Sequence, residues 1–257
     1  MASTQTPLRR IALGEVLTLT IVYAAGLWWL GPQLGLSLWL DTLYSLGAIA
    51  LAVYFGVVSS VYVHDDAPPM RGLGPPRAGF IRLDNLRQAL RNFAVPTVIG
   101  AIGIVGVVLV NHPHRFVQLD WSAVALKLTL YVVSALLQGL LVFAWLLPRL
   151  QDILPKSGNE HRDRLVVSVG LAVLFALSHL PNIPMILLTF AWGLVMGWLY
   201  QRTPNLYAAA LCHALLGTLL HRVLALSMRI GPFYWESDQY ILRTLLPFVR
   251  EWINGRF

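Results

Sequence analysis

Seven stretches of this chain, near 11–31, 38–58, 93–110, 122–147, 165–181, 184–200 and 205–226, run apolar for about the length that crosses a bilayer. A transmembrane helix needs about 20 such residues. Within lipid, each backbone N–H and C=O must be satisfied inside its own segment, so long apolar runs of this kind must be helices. The fold expected is therefore all-α, a multi-pass bundle of seven to eight transmembrane helices. Composition agrees, with 57% hydrophobic and only 12% charged residues, where a soluble domain carries roughly twice that charge. The first run is too long for a signal-peptide core and lacks a small-residue cleavage site, so it is expected to remain as an anchor. Trp28, Trp29, Trp39, Trp121 and Tyr200 lie near span ends, as interfacial aromatics do.

The net charge of +7 could suggest nucleic acid, but its placement argues for orientation instead. Arg71, Arg77, Arg82, Arg87 and Arg91 crowd the connection 59–92, and Arg149, Lys156, Arg162 and Arg164 lie around the connection 148–164. The intervening turns carry one basic residue, Arg115, or none. Such alternation is the positive-inside pattern and puts the N-terminus, with Arg9 and Arg10, in the cytoplasm. No nucleic-acid partner is expected; the lipid bilayer is. Seven spans would leave the basic tail 227–257 outside, so an eighth, poor span over 239–254 is the alternative.

The chain is expected to form a single membrane domain over 1–257, with a motif-bearing core at 122–226. Residues 64–79 read as loop from their prolines and glycines. In "RLDNLRQALRNF" (82–93), Leu83, Leu86, Leu90 and Phe93 fall at helical spacing with the arginines off that face. This predicts an amphipathic helix on the cytoplasmic membrane surface within the 59–92 connection. The absence of an internal repeat disfavours a secondary transporter. Cys212, the sole cysteine, reads as a small buried hydrophobe.

Polar groups inside membrane spans are functional suspects. Within the apolar runs these are Glu15, Gln138, His179, His213 and His221. Glu15 and Asp41 lie near span ends with water close by, and Lys127 can snorkel outward. His213 and His221 are roughly 80° apart in helical projection. With no third ligand at a suitable spacing, no metal and no cofactor are expected.

Order and spacing of short motifs add a resemblance. In "FALSHLPNIPMILLTFAWGLVMGWLYQRTPNLYAAALCHALLGTL" (175–219), Phe175 and His179 form a Phe-x-x-x-His pattern. Gly193 and Gly197 mark a small-residue helix, "YQRTPNL" a turn, and His213 a second histidine. Upstream, "LLQGLLVFAWLLPRL" (136–150) has the frame of a Glu-Glu-x-x-x-Arg helix ending in Pro-Arg-Leu. Together these resemble the CPBP family, the CAAX-protease and bacteriocin-processing intramembrane proteases. The resemblance implies that family's helical membrane fold, peptide-bond hydrolysis within the bilayer, and a site at Gln138, His179 and His213. A bacterial cytoplasmic membrane is the expected location.

The departures bear on activity. Gln138 and Gly139 stand where the family has paired glutamates, Phe143 where it has arginine, and Gly217 where it has Asn or Asp four residues after the last histidine. By resemblance, the first glutamate activates water while the histidines and the Asn stabilise the intermediate. A general base must accept a proton near neutral pH, which an amide does not do usefully. Losing one oxyanion donor alone costs on the order of 10²–10³ in rate. The expectation is a catalytically impaired pseudoprotease that binds membrane-embedded or lipidated peptides, or a partner protein. The rivals are a working endopeptidase that recruits another acid such as Glu15, and a small-solute transporter.

Overall fold

The computed structural model describes residues 5–30, 83–228 and 230–233, with isolated positions between 43 and 59. Most of the expected span 38–58, the loop through residue 82 and the tail beyond 233 lie outside the described residues. Among those described, all regular elements are helical. Helix α1 covers Gln5–Ala25 and continues through a π-helical turn, Gly26–Leu30. Then come α2 (Leu86–Asn111) and the short α3 (His114–Gln118). A long rod follows, made of α4 (Trp121–Gly139), a π-helical stretch Leu140–Leu146 and α5 (Leu147–Ile153). The last three are α6 (Glu160–Leu177), α7 (Ile183–Arg202) and α8 (Leu206–Thr218), with α8 prolonged by a π-helical turn, Leu219–Val223.

Five of these are long and apolar enough to cross a membrane: Arg9–Leu30, Leu86–Asn111, Trp121–Ile153, Ile183–Arg202 and Leu206–Val223. Two expected boundaries move. From Leu86 onward, the segment read as a surface helix is the first two turns of α2, because Ala89 and Phe93 are buried in the bundle core. The span expected over 165–181 corresponds to α6, which starts earlier, ends at Leu177 and is not among those five, so His179 sits in the turn that follows it. Asn182 explains that stop, since its side chain accepts from Met185 N and starts α7 afresh. Asp120, Asn159 and Asn205 cap α4, α6 and α8 in the same way.

Packing follows the small residues. A Cβ on Gly193 would lie 3.1 Å from Ala172 Cα, and one on Gly197 would lie 3.0 Å from Leu171 Cδ2. Bare glycines at that spacing let α6 and α7 approach backbone to backbone, the usual means of helix association in lipid. Phe93, Phe143, Leu147, Leu171, Met196 and Tyr200 fill the space between the helices.

Two polar clusters tie this bundle together. Arg149, fully buried on α5, donates from Nε to Glu15 Oε2 at 2.7 Å, and Ser59 Oγ donates to Glu15 Oε1 at 2.8 Å. Glu15 is thus the counter-ion of a buried arginine, a correction to its placement near water. At the turn between α7 and α8, Asn92 Nδ2 donates to Thr203 Oγ1 at 2.6 Å. Asn205 Nδ2 donates to Asn85 Oδ1 at 2.8 Å, and Asn85 Nδ2 to the Pro204 carbonyl at 3.0 Å. The turn motif is therefore a staple that fixes the start of α8 to the start of α2.

Candidate functional site

Helices α4 and α8 run side by side through their alanines, with Ala135, Ala210 and Ala214 buried at the seam. Near that seam lies a cavity of about 10 Å³, room for no more than about one water. Gln138, Gly139, Phe143, Phe175, Trp192 and His213 are among its lining residues. Both helices that flank it loosen to π-helical geometry just beyond, at Leu140–Leu146 and Leu219–Val223. Such widened turns occur frequently at functional sites.

The Phe175 ring joins the two histidines. Its centroid lies 5.0 Å from that of His179 and 6.1 Å from that of His213, both edge-on. His179 Nδ1 is 2.8 Å from the Phe175 carbonyl oxygen. A carbonyl can only accept, so Nδ1 carries the proton and Nε2 of the neutral ring presents a lone pair. The turn that holds His179 is itself held, by Tyr23 donating to the Ser178 carbonyl at 2.8 Å and Gly231 N to the Leu180 carbonyl at 2.7 Å.

Gln138 lines the cavity with His213, while His179 reaches it through Phe175. Gln138 donates at 3.2 Å to Ser134, one turn back on its own helix, and makes no hydrogen bond to either histidine. His213 Nε2 instead lies 3.3 Å from the Tyr131 hydroxyl.

Each of the other family positions is packed by an apolar or aromatic neighbour. A Cβ at Gly139 would sit 2.6 Å from Leu206 Cδ1. Phe143 stacks on the buried Tyr200 ring at 4.8 Å and 19°. A Cβ at Gly217 would collide with Cε1 of the Tyr131 ring. The Tyr131 ring fills the space a side chain would need at 217, whereas at 139 the obstacle is only the tip of the Leu206 side chain.

Tyr131 is the residue that motif reading missed. A signal was present, since it lies seven residues before Gln138 and so on the same helical face. Lys127 Nζ lies 5.3 Å from the centre of the Tyr131 ring, within cation–π range. Among the described residues, no three His, Cys, Asp or Glu side chains gather as a metal site would require.

Residues 120–219 match the family model described as Type II CAAX prenyl endopeptidase Rce1-like. That segment holds α4 through α8 and every position compared above, and its resemblance to the CPBP family is thereby shown. No curated protein and no solved structure matches the chain.

Proposed function

We propose that this chain is a pseudoprotease of the CAAX-protease type, one that engages a membrane-embedded or lipidated peptide, or a partner protein, without cutting it. One observation carries the reading: the catalytic positions of the family pattern lack their chemistry, and the room for a side chain at 217 is occupied by the Tyr131 ring. Gln138 has no basic lone pair with which to deprotonate water at neutral pH. Phe143, stacked on Tyr200, offers no charge for a carboxylate partner. Gly217 offers no side-chain donor to an oxyanion. What remains are two histidines around an aromatic ring and space for about one water, a set suited to hydrogen bonding rather than hydrolysis.

The rival with Glu15 as replacement base is disfavoured by Arg149. Glu15 Oε2 accepts from the buried Arg149 guanidinium at 2.7 Å and Oε1 accepts from Ser59, so both oxygens are committed to partners. Glu15 is also absent from the cavity lining.

The test uses purified full-length chain in lipid nanodiscs with a fluorogenic prenylated CAAX-type peptide. The expected result is retention of intact peptide with no His179-dependent product. Reproducible cleavage by the native chain, abolished by His179→Ala and by His213→Ala, would falsify the proposal.

A further inference from the structure

Away from that cavity, an open groove of about 400 Å³ runs between α2, α6 and α7. Val95 and Pro96 of α2, Leu165 of α6, and Val195 and Trp198 of α7 form its apolar walls, with Asn92 at one end. Val95, Leu165 and Val195 are 63%, 45% and 38% exposed, so the groove is open along its side. Two of its walls belong to helices with membrane-spanning length and hydropathy, which makes lipid the medium it faces.

Each wall helix also carries an arginine about one turn beyond its apolar lining. Arg91 precedes Val95 by four residues, Arg162 precedes Leu165 by three, and Arg202 follows Trp198 by four. Residues at those spacings share a helix face. The arginines fall at the same end of the groove, because Asn92 bonds Thr203 and Gln201 Nε2 bonds the Arg164 carbonyl. Those bonds bring the starts of α2 and α6 to the end of α7. His161, edge-on to Trp198 at 4.6 Å, lies at that end too. Arg91, Arg162 and Arg202 are exposed, and none forms an ion pair with another described residue.

Orientation alone gathers arginines at one side of a membrane protein. It does not align three of them with the mouth of an apolar groove. We propose that the groove holds one acyl chain of an anionic phospholipid, with the phosphate drawn under Arg91, Arg162 and Arg202. Chain burial supplies affinity without regard to headgroup. The arginines supply the preference for a net negative lipid, about fivefold each at about 1 kcal/mol per charge.

The test is native mass spectrometry of the full chain in detergent, titrated with dioleoyl phosphatidylglycerol or dioleoyl phosphatidylcholine. One phosphatidylglycerol per chain should bind at least about fivefold tighter than phosphatidylcholine, following the same per-charge estimate. Combining Arg91→Gln, Arg162→Gln and Arg202→Gln should remove that preference and leave phosphatidylcholine binding unchanged. Val195→Trp, which fills the groove, should weaken both lipids, and Leu165→Trp should do the same by an independent route. Excess glycerol phosphate should not displace the bound lipid. Equal affinity for the two lipids, displacement by glycerol phosphate, or undiminished binding in the arginine variant or in both tryptophan variants would overturn the proposal. The groove shares no residue with the Gln138–His213 cavity, so this result is independent of any cleavage assay.

Discussion

The start of α8 and its middle treat polar side chains in opposite ways. At the start, Asn205 is fully buried yet caps its own helix through Ala208 N and donates to Asn85. Two turns later His213 has a long contact with Tyr131, and Gly217 has no side chain at all. The first region satisfies its buried polar side chains within the bundle; the second holds a histidine in long contact with Tyr131 and a glycine whose side-chain space aromatic carbon fills. The difference separates two kinds of requirement within one motif-bearing segment. A buried amide that staples helices costs stability when lost, whatever the chain does for a living. A base, a charge partner and an oxyanion donor are needed for hydrolysis alone.

The comparison breaks if the scaffold side proves dispensable. Arg149→Met should have the largest effect, about 3–5 kcal/mol of destabilisation, because it strands the Glu15 carboxylate away from water. Thermal unfolding in detergent reads this directly. Adding Glu15→Leu should restore most of the loss, since a hydrophobic pair of similar volume often replaces a buried ion pair without penalty. Asn205→Ala should cost about 2 kcal/mol, from the lost cap and from Asn85 Oδ1 left without its donor.

The site side should respond more weakly, with one exception that sharpens the contrast. Gly217→Asn, a step toward the family pattern, should destabilise by about 1–3 kcal/mol because its Cβ meets the Tyr131 ring. Combined with Tyr131→Ala, the two changes should be non-additive by about 0.5–3 kcal/mol, the double variant being better than the sum predicts. Strict additivity would mean that the ring does not hold that space. Gln138→Met should be nearly neutral, under about 1.5 kcal/mol, as a change that conserves volume and gives up one long bond to Ser134.

The smallest effect belongs to the loop before α6. Ser157 donates to Asp163 Oδ1 from both its hydroxyl, at 2.6 Å, and its backbone N–H, at 2.8 Å. The hydroxyl bond above all holds the Asp163 carboxyl below its ordinary value of 3.8. A depressed folded-state value means the contribution is present above the unfolded-state value and is lost as pH falls through the folded one. Native stability should therefore dip slightly more between about pH 4 and pH 2 than that of Asp163→Asn. Parallel acid profiles for the two chains would count against it.

Hydropathy identifies the long apolar helices among the described residues, because lipid leaves an apolar run no other option. The resemblance implied that Gln138 and His213 share a site, and both line one cavity although they lie on different helices. Two kinds of feature escaped. Where α6 stops depends on Asn182 capping the next helix, a local contest that apolar run length does not register. Tyr131 against Gly217 and Glu15 against Arg149 are long-range pairings, 86 and 134 residues apart in the chain. A single sequence offers no signal that such residues meet.

The Glu15–Arg149 pair also bears on how the protein is made. A lone charge near the centre of an inserting helix costs about 2.5–3.5 kcal/mol on the scale set by the cell's insertion machinery. Glu15 is synthesised 134 residues before the partner that neutralises it. Between those moments, α1 carries a carboxylate without its counter-ion and is less at ease in lipid than its hydropathy suggests. Arrival of the rod that bears Arg149 converts that lack into a bond between α1 and the core. A nascent chain that stalls before residue 149 would leave that carboxylate without its counter-ion, a chemical mark of incompleteness written into α1.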